Sequence, residues 1–195
     1  WAPFNPSWSR TIEANLSDSN YDKAAAERFF YDARLYKDEN WQYEYYGSKV
    51  NLRIVVDSDN RNHTALAQAL SAQLTEMGFS TTVRQLASES YAEAVANKNY
   101  DILIAEVDIG YDMDIRHVFD EIGYDAGQTA FSAALEAFAN GTADIKTVLE
   151  LFSEAMPFIP ICYTRSALAL NLSVKGDVEP SENFIFSKIE TWYKS

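Results

Sequence analysis

Cysteine is almost absent from this 195-residue chain, and Cys162 is its single example. One thiol excludes an intramolecular disulfide framework and a cysteine-rich zinc site. In an apolar stretch such as this one, it reads as a small buried hydrophobe. Histidine is nearly as scarce: His63 and His117 are the only two. They stand at no His-x-x-x-His or His-Glu-x-x-His spacing. Seven glycines leave little scope for Gly-rich phosphate cradles. No phosphate loop, dinucleotide fingerprint or Gly-x-Ser-x-Gly elbow occurs. There is no run of about 18 apolar residues, the length a membrane-crossing helix needs. Basic residues are outnumbered: 16 Lys and Arg against 29 Asp and Glu leave a net charge of −13. That balance, with a pI near 4.5, argues against a nucleic-acid binder, which needs a basic face.

What is present is core material. The chain is 47% hydrophobic and 14% aromatic, which excludes wholesale disorder and suits one domain or one lobe of a larger protein. It opens Trp1-Ala2-Pro3-Phe4-Asn5-Pro6, an extended segment because each proline ring fixes φ and removes a donor. No charged stretch followed by an apolar one is present there, so any secretion signal is expected outside this chain. Residues 1–20 read as a connector, 21–165 as an α/β core and 166–195 as C-terminal strands.

Within the core, Tyr21 to Tyr36 predicts a helix capped by Asn20 or Ser19. The aromatic stretch Trp41 to Tyr46 reads as an ordered loop or irregular strand. Asn51 to Asp57 predicts a strand, Thr64 to Met77 a helix stopped by Gly78, and Ser80 to Leu86 a second strand. A short helix from Ser88 or Ser90 to Asn97 leads to a third strand, Asp101 to Val107. This alternation predicts a mostly parallel sheet flanked by helices. Beyond it, helical signals lie at Ile115–Ile122, Gln128–Asn140 and Thr142–Met156. Met156 to Tyr163, broken by two prolines, suits an edge or crossover strand. Ala167–Val174 and Phe184–Tyr193 alternate as strands.

The densest acidic cluster, Asp108, Asp112 and Asp114, follows the third strand. Ligands in open α/β sheets bind beyond the carboxyl ends of the strands, which is where these residues fall. Asp114 serves equally as a helix cap. An Asp112/Asp114 pair holding a metal in an independent hydrolytic domain is the alternative reading, although local sequence lacks the further oxygen ligands that calcium needs. His63, at a helix start, and His117, beside Arg116, read best as surface or capping residues.

Several segments in order resemble the C-terminal portion of the family 5 extracellular solute-binding proteins, the peptide- and nickel-type receptors of ABC importers. Pro3-Phe4-Asn5-Pro6 resembles the proline-containing segment before the family's third lobe. Tyr21-Asp22-Lys23-Ala24-Ala25-Ala26 resembles its Tyr-Asp-Pro-x-x-Ala helix start, with Lys23 in place of proline. Leu52–Val56, Ala65–Met77 and Gly78-Phe79-Ser80-Thr81-Thr82-Val83 resemble its strand, helix and next strand. Tyr100-Asp101 resembles its Tyr-Asp strand opening, and Pro157-Phe158-Ile159-Pro160-Ile161-Cys162-Tyr163 its Pro-x-Ile-Pro-x-x-Tyr strand.

The resemblance implies a periplasmic-binding-protein-like lobe, no enzyme activity and no cofactor. It implies a ligand closed between this lobe and another, with Asp108, Tyr111, Asp112 and Tyr163 lining the cleft. The family's amine-pairing aspartate falls on Ile109, with Asp108 one position early, so peptides, nickel complexes and sugars all stay open as solutes. The implied partner is an ABC permease. The implied location is extracellular, as a cell-surface lipoprotein or periplasmic protein, held at the membrane only through an anchor outside this chain.

Overall fold

The computed structural model describes residues 22–107, 116–121, 127, 129–162, 169–178 and 186–195. The connector 1–20 lies outside them. Asp22, not Asn20 or Ser19, starts helix α1 (Lys23–Asp32): its carboxylate accepts the Ala25 N–H at 2.9 Å. The helix ends before Tyr36 because Arg34 turns left-handed, at φ 62°.

The aromatic stretch that follows is more regular than a loop. It forms an antiparallel sheet of β1 (Leu35–Lys37), β2 (Tyr43–Tyr45) and β3 (Ser48–Lys49). Tyr43 anchors it. Its buried ring stacks on Phe79 at 4.5 Å, and Phe30 meets both rings edge-on. The Tyr43 N–H donates to the Gly78 carbonyl at 2.8 Å. Gly78 must be glycine, since φ is 109° and a Cβ would strike the Trp41 carbonyl oxygen.

The parallel sheet expected from the alternation is present. It contains β4 (Asn51–Asp57), β5 (Ser80–Leu86) and β6 (Ile102–Ile104), in the order β5-β4-β6. Both pairings are parallel, with Ile54 opposite Val83 on one side and Ile102 on the other. As the middle strand, β4 is covered on both faces, and Ile54, Val55 and Val56 are each 0% exposed. Helix α2 (Arg61–Met77) crosses from β4 to β5 and packs Leu66, Leu70 and Leu74 on Ile54, Val56 and Ile104. It starts before Thr64 because Asn60 accepts the N–H groups of Asn62 and His63, and Gly78 ends it left-handed. Helix α3 (Ser88–Ala96) crosses from β5 to β6.

The amino end of this sheet is locked by Arg53 and Asp101. The guanidinium donates to both carboxylate oxygens, at 2.9 and 3.1 Å, and the Arg53 backbone N–H adds a third bond at 2.8 Å. Asn99 receives the remaining arm at 2.7 Å. These bonds, the side-chain ones first, hold the Asp101 carboxyl below the usual carboxylate range. A depressed folded pKa stabilises above the unfolded value and loses that contribution as pH falls through the folded one. Asp101→Asn is therefore expected to lower the urea midpoint at neutral pH. The gap from wild type should close as pH drops below about 4, the ordinary aspartate value. A gap that persists unchanged in acid would remove the charge from the account.

The remaining helices form a second core. Phe119 of α4 (Arg116–Glu121) meets Phe131 of α5 (Ala130–Ala139) edge-on, and Val148, Leu149 and Phe152 of α6 (Ile145–Ala155) close it. Thr129 and Ser132 make a reciprocal capping box on α5, and Asp144 caps α6. Both helices are consequently shorter than their periodicity predicts.

Two strand expectations are corrected. Residues 156–162 form no strand: Met156 turns left-handed at φ 40°, and Pro157 and Pro160 have no N–H to contribute. Among the described residues the C-terminal strands reduce to β7 (Val174–Lys175) and β8 (Tyr193–Lys194), an antiparallel pair. The run before β8 is bent by left-handed Lys188, φ 57°, into a single 3-10 turn at Ile189–Thr191.

Candidate functional site at the carboxyl end of the parallel sheet

The crossover through α2 leaves β4 for β5, and the crossover through α3 leaves β5 and passes over β4 to β6. β5 lies on one side of β4 and β6 on the other, so the switch point falls between the carboxyl ends of β4 and β6. At such a point two following loops part and open a crevice. Residues from three different loops meet there.

Asn60 and His63 come from the start of α2. Besides capping, the Asn60 side-chain amide donates to Glu106 at 3.3 Å, just past β6. His63 Nε2 approaches the same carboxylate oxygen to 3.6 Å, an ion pair once the ring is protonated. The Glu106 carboxylate thus faces the amino end of α2, where the helix dipole favours negative charge. Across the strand end, the Ser88 hydroxyl donates to Asp59 at 3.0 Å and to Asp57 at 3.4 Å. Asp57 itself accepts the Asp59 N–H at 2.9 Å, fixing the turn.

Tyr91 supports this pole from beneath. Its hydroxyl donates to the Ile104 carbonyl at 3.0 Å, and its pKa is pushed up to about 12 by burial, then by the charge on Asp57. It therefore remains a neutral donor at any physiological pH. Ser88 is bonded to carboxylates, so its hydroxyl is positioned as a donor. The assembly is an acidic, hydrogen-bonding surface suited to holding polar groups of a ligand.

Asp108, Tyr111, Asp112 and Tyr163 all lie outside the described residues, as does Asp114. Asp108 follows Val107 directly, with Tyr111 and Asp112 shortly after it in the chain, so the chain enters that segment from the switch point. Asn60, His63 and Glu106 were not among the expected site residues. Each carried a signal: Asn60 in a polar break before a helix, His63 as a histidine at a helix start, and Glu106 as a carboxylate near the end of the third strand. Among the described residues, no three or more histidine, cysteine, aspartate or glutamate side chains converge as a metal site requires. No described helix is long and apolar enough to cross a membrane.

No protein-family model and no curated protein matches this sequence. Solved structures do match. NikZ of Campylobacter jejuni, in complex with Ni(L-His), superposes over 93% of this chain at a TM-score of 0.64 and 19% identity. The periplasmic oligopeptide-binding protein of an oligopeptide ABC transporter of Thermotoga maritima, bound to mannohexaose, covers 94% at 0.66 and 16% identity. AppA of Bacillus subtilis, an oligopeptide-binding protein in complex with a nonapeptide, covers 93% at 0.57 and 13% identity. The chain spans 41%, 38% and 39% of these three proteins. It has the fold of part of the solute-binding proteins, a parallel sheet flanked by helices. The neighbours are binding proteins, not enzymes.

Proposed function

We propose that this chain is a solute-binding lobe of an ABC-importer receptor, closing on its ligand against a lobe outside these 195 residues. One observation carries the reading. The parallel unit and its switch point belong to a fold shared over more than nine-tenths of the chain with receptors of this kind. The polar pole of Asn60, His63 and Glu106 stands at the end of the sheet where such folds take ligands.

The ligand-facing residues are Asp108, Tyr111 and Asp112, in the segment that leaves this pole, together with Tyr163. Glu106 and Asn60 stand at the pole from which that segment leaves. Tyrosine rings supply apolar contact and the carboxylates orient polar groups, a division of labour general to small-molecule pockets. The solute is a peptide or a similarly small polar molecule. No cofactor takes part. The receptor works with a membrane permease, and its place is extracellular or periplasmic, as a lipoprotein or a free protein.

Native mass spectrometry of a receptor carrying this lobe should show a co-purifying solute. Titration of that solute should then weaken at least tenfold in Tyr163→Ala and in Asp108→Ala. Full affinity in both variants would remove these residues from the site, and turnover of the solute would remove the receptor reading itself.

A further inference from the structure

At the amino end of the parallel sheet, opposite the pole just described, β1 to β3 border an open surface pocket of about 170 Å³. It is lined by Arg34, Tyr36, Glu44, Tyr46 and Gly47. Tyr36 and Glu44 are direct cross-strand partners on one face of this small sheet.

Two of these side chains stand where the backbone favours other residues. Arg34 follows the C-cap of α1 at φ 62°, a left-handed position that glycine usually fills. Tyr46 and Gly47 form the two-residue turn between β2 and β3, with φ 49° and 77°. Such a turn prefers asparagine or aspartate before its glycine, and tyrosine is strained there. Of the six non-glycine residues at positive φ among the described residues, these two line one pocket, and strain of this kind is found at ligand-contact sites.

The charges point the same way. Among the described residues, neither the Arg34 guanidinium nor the Glu44 carboxylate makes a side-chain hydrogen bond or ion pair. They line one small pocket with unlike charges, alongside Tyr36 and Tyr46, whose rings also meet those of Tyr31 and Tyr45 edge-on.

We propose that this pocket is a second ligand site, separate from the cleft at the strands' carboxyl end, and that it takes a small zwitterion. The ammonium end lies against the faces of Tyr36 and Tyr46 and the Glu44 carboxylate, since ring faces attract cations, quaternary ones included. The anionic end, carboxylate or phosphate, meets the Arg34 fork. A ligand of one charge would leave one protein charge unanswered, and a neutral sugar would answer neither.

The test is titration of the chain with phosphocholine and with glycine betaine, read by shifts of tyrosine and arginine resonances, with glucose as the neutral control. Saturable shifts confined to these residues are expected with at least one zwitterion, and the stronger of the two identifies the anionic group. Arg34→Gly and Tyr46→Asn restore the residues the backbone prefers. They should melt at the same temperature as wild type or higher, yet bind at least tenfold more weakly. Absence of saturable shifts, equal response to glucose, or unchanged binding in both variants would overturn the proposal.

Discussion

Phe152→Ala is expected to destabilise the helical core by about 3–5 kcal/mol, as large core truncations do. Phe152 is 0% exposed and meets both Phe131 and Phe158 ring to ring, at 5.9 and 4.9 Å. The α5–α6 pair has Val148, Leu149 and Leu135 around it but nothing that can flow into an aromatic-sized hole. The loss is of the same order as the whole stability of an ordinary domain. Its location should be selective. The buried residues where α2 meets the sheet, Ile54, Val56, Ala67 and Ile104, form a cluster that shares no member with the one around Phe152. Hydrogen exchange should therefore show amides of α5 and α6 exposed in the variant while those of β4 keep their protection. Equal loss of protection in both places would mean that the two cores unfold as one.

The parts of the fold legible in the sequence are those where local and global signals agree. β4 and β5 appear at their expected bounds because a β-branched run and an alternating one are each closed by turn residues. The start of α2 shifted to Arg61 because Asn60 caps it, a local bond that periodicity alone does not register. The hairpin of β2 and β3 was hidden by Tyr46. A tyrosine at a left-handed turn position does not read as a turn, although Gly47 beside it does. The run at Met156 to Tyr163 reads as a strand from its apolar residues, yet Ile159 and Ile161 are 71% and 64% exposed. A strand needs a neighbour as well as a pattern, and two prolines limit which edge can pair.

The candidate site was legible only as a region. Asp57, Asn60, Ser88 and Glu106 are up to 49 positions apart in the chain and have no shared motif. They meet because parallel crossovers return every strand's carboxyl end to the same side of the sheet. Topology gathers such residues, and spacing cannot reveal them. Glu106 shows the point. In sequence it is one carboxylate near the end of a predicted strand; in space Asn60 donates to it and His63 Nε2 approaches the same oxygen.

On the proposed receptor role, these 195 residues by themselves are expected to fold but to bind the solute about a thousandfold more weakly than a receptor with both lobes. Folding should survive because β4, its two neighbours and the helices that cover them all lie within the chain. Binding should not. A closed cleft removes most of a ligand's surface from water, and a single wall leaves much of it wet. Forfeiting about 150 Å² of apolar contact at about 25 cal/mol per Å² loses about 4 kcal/mol. Carboxylates such as Asp108, Asp112 and Glu106 would then act across water, where charge attraction falls by several-fold from its value in a closed site. Calorimetric titration of both proteins with the solute that co-purifies with the longer one makes the comparison directly. Matching affinities would mean that the site is complete within this chain, and the requirement for an opposing lobe would be lost.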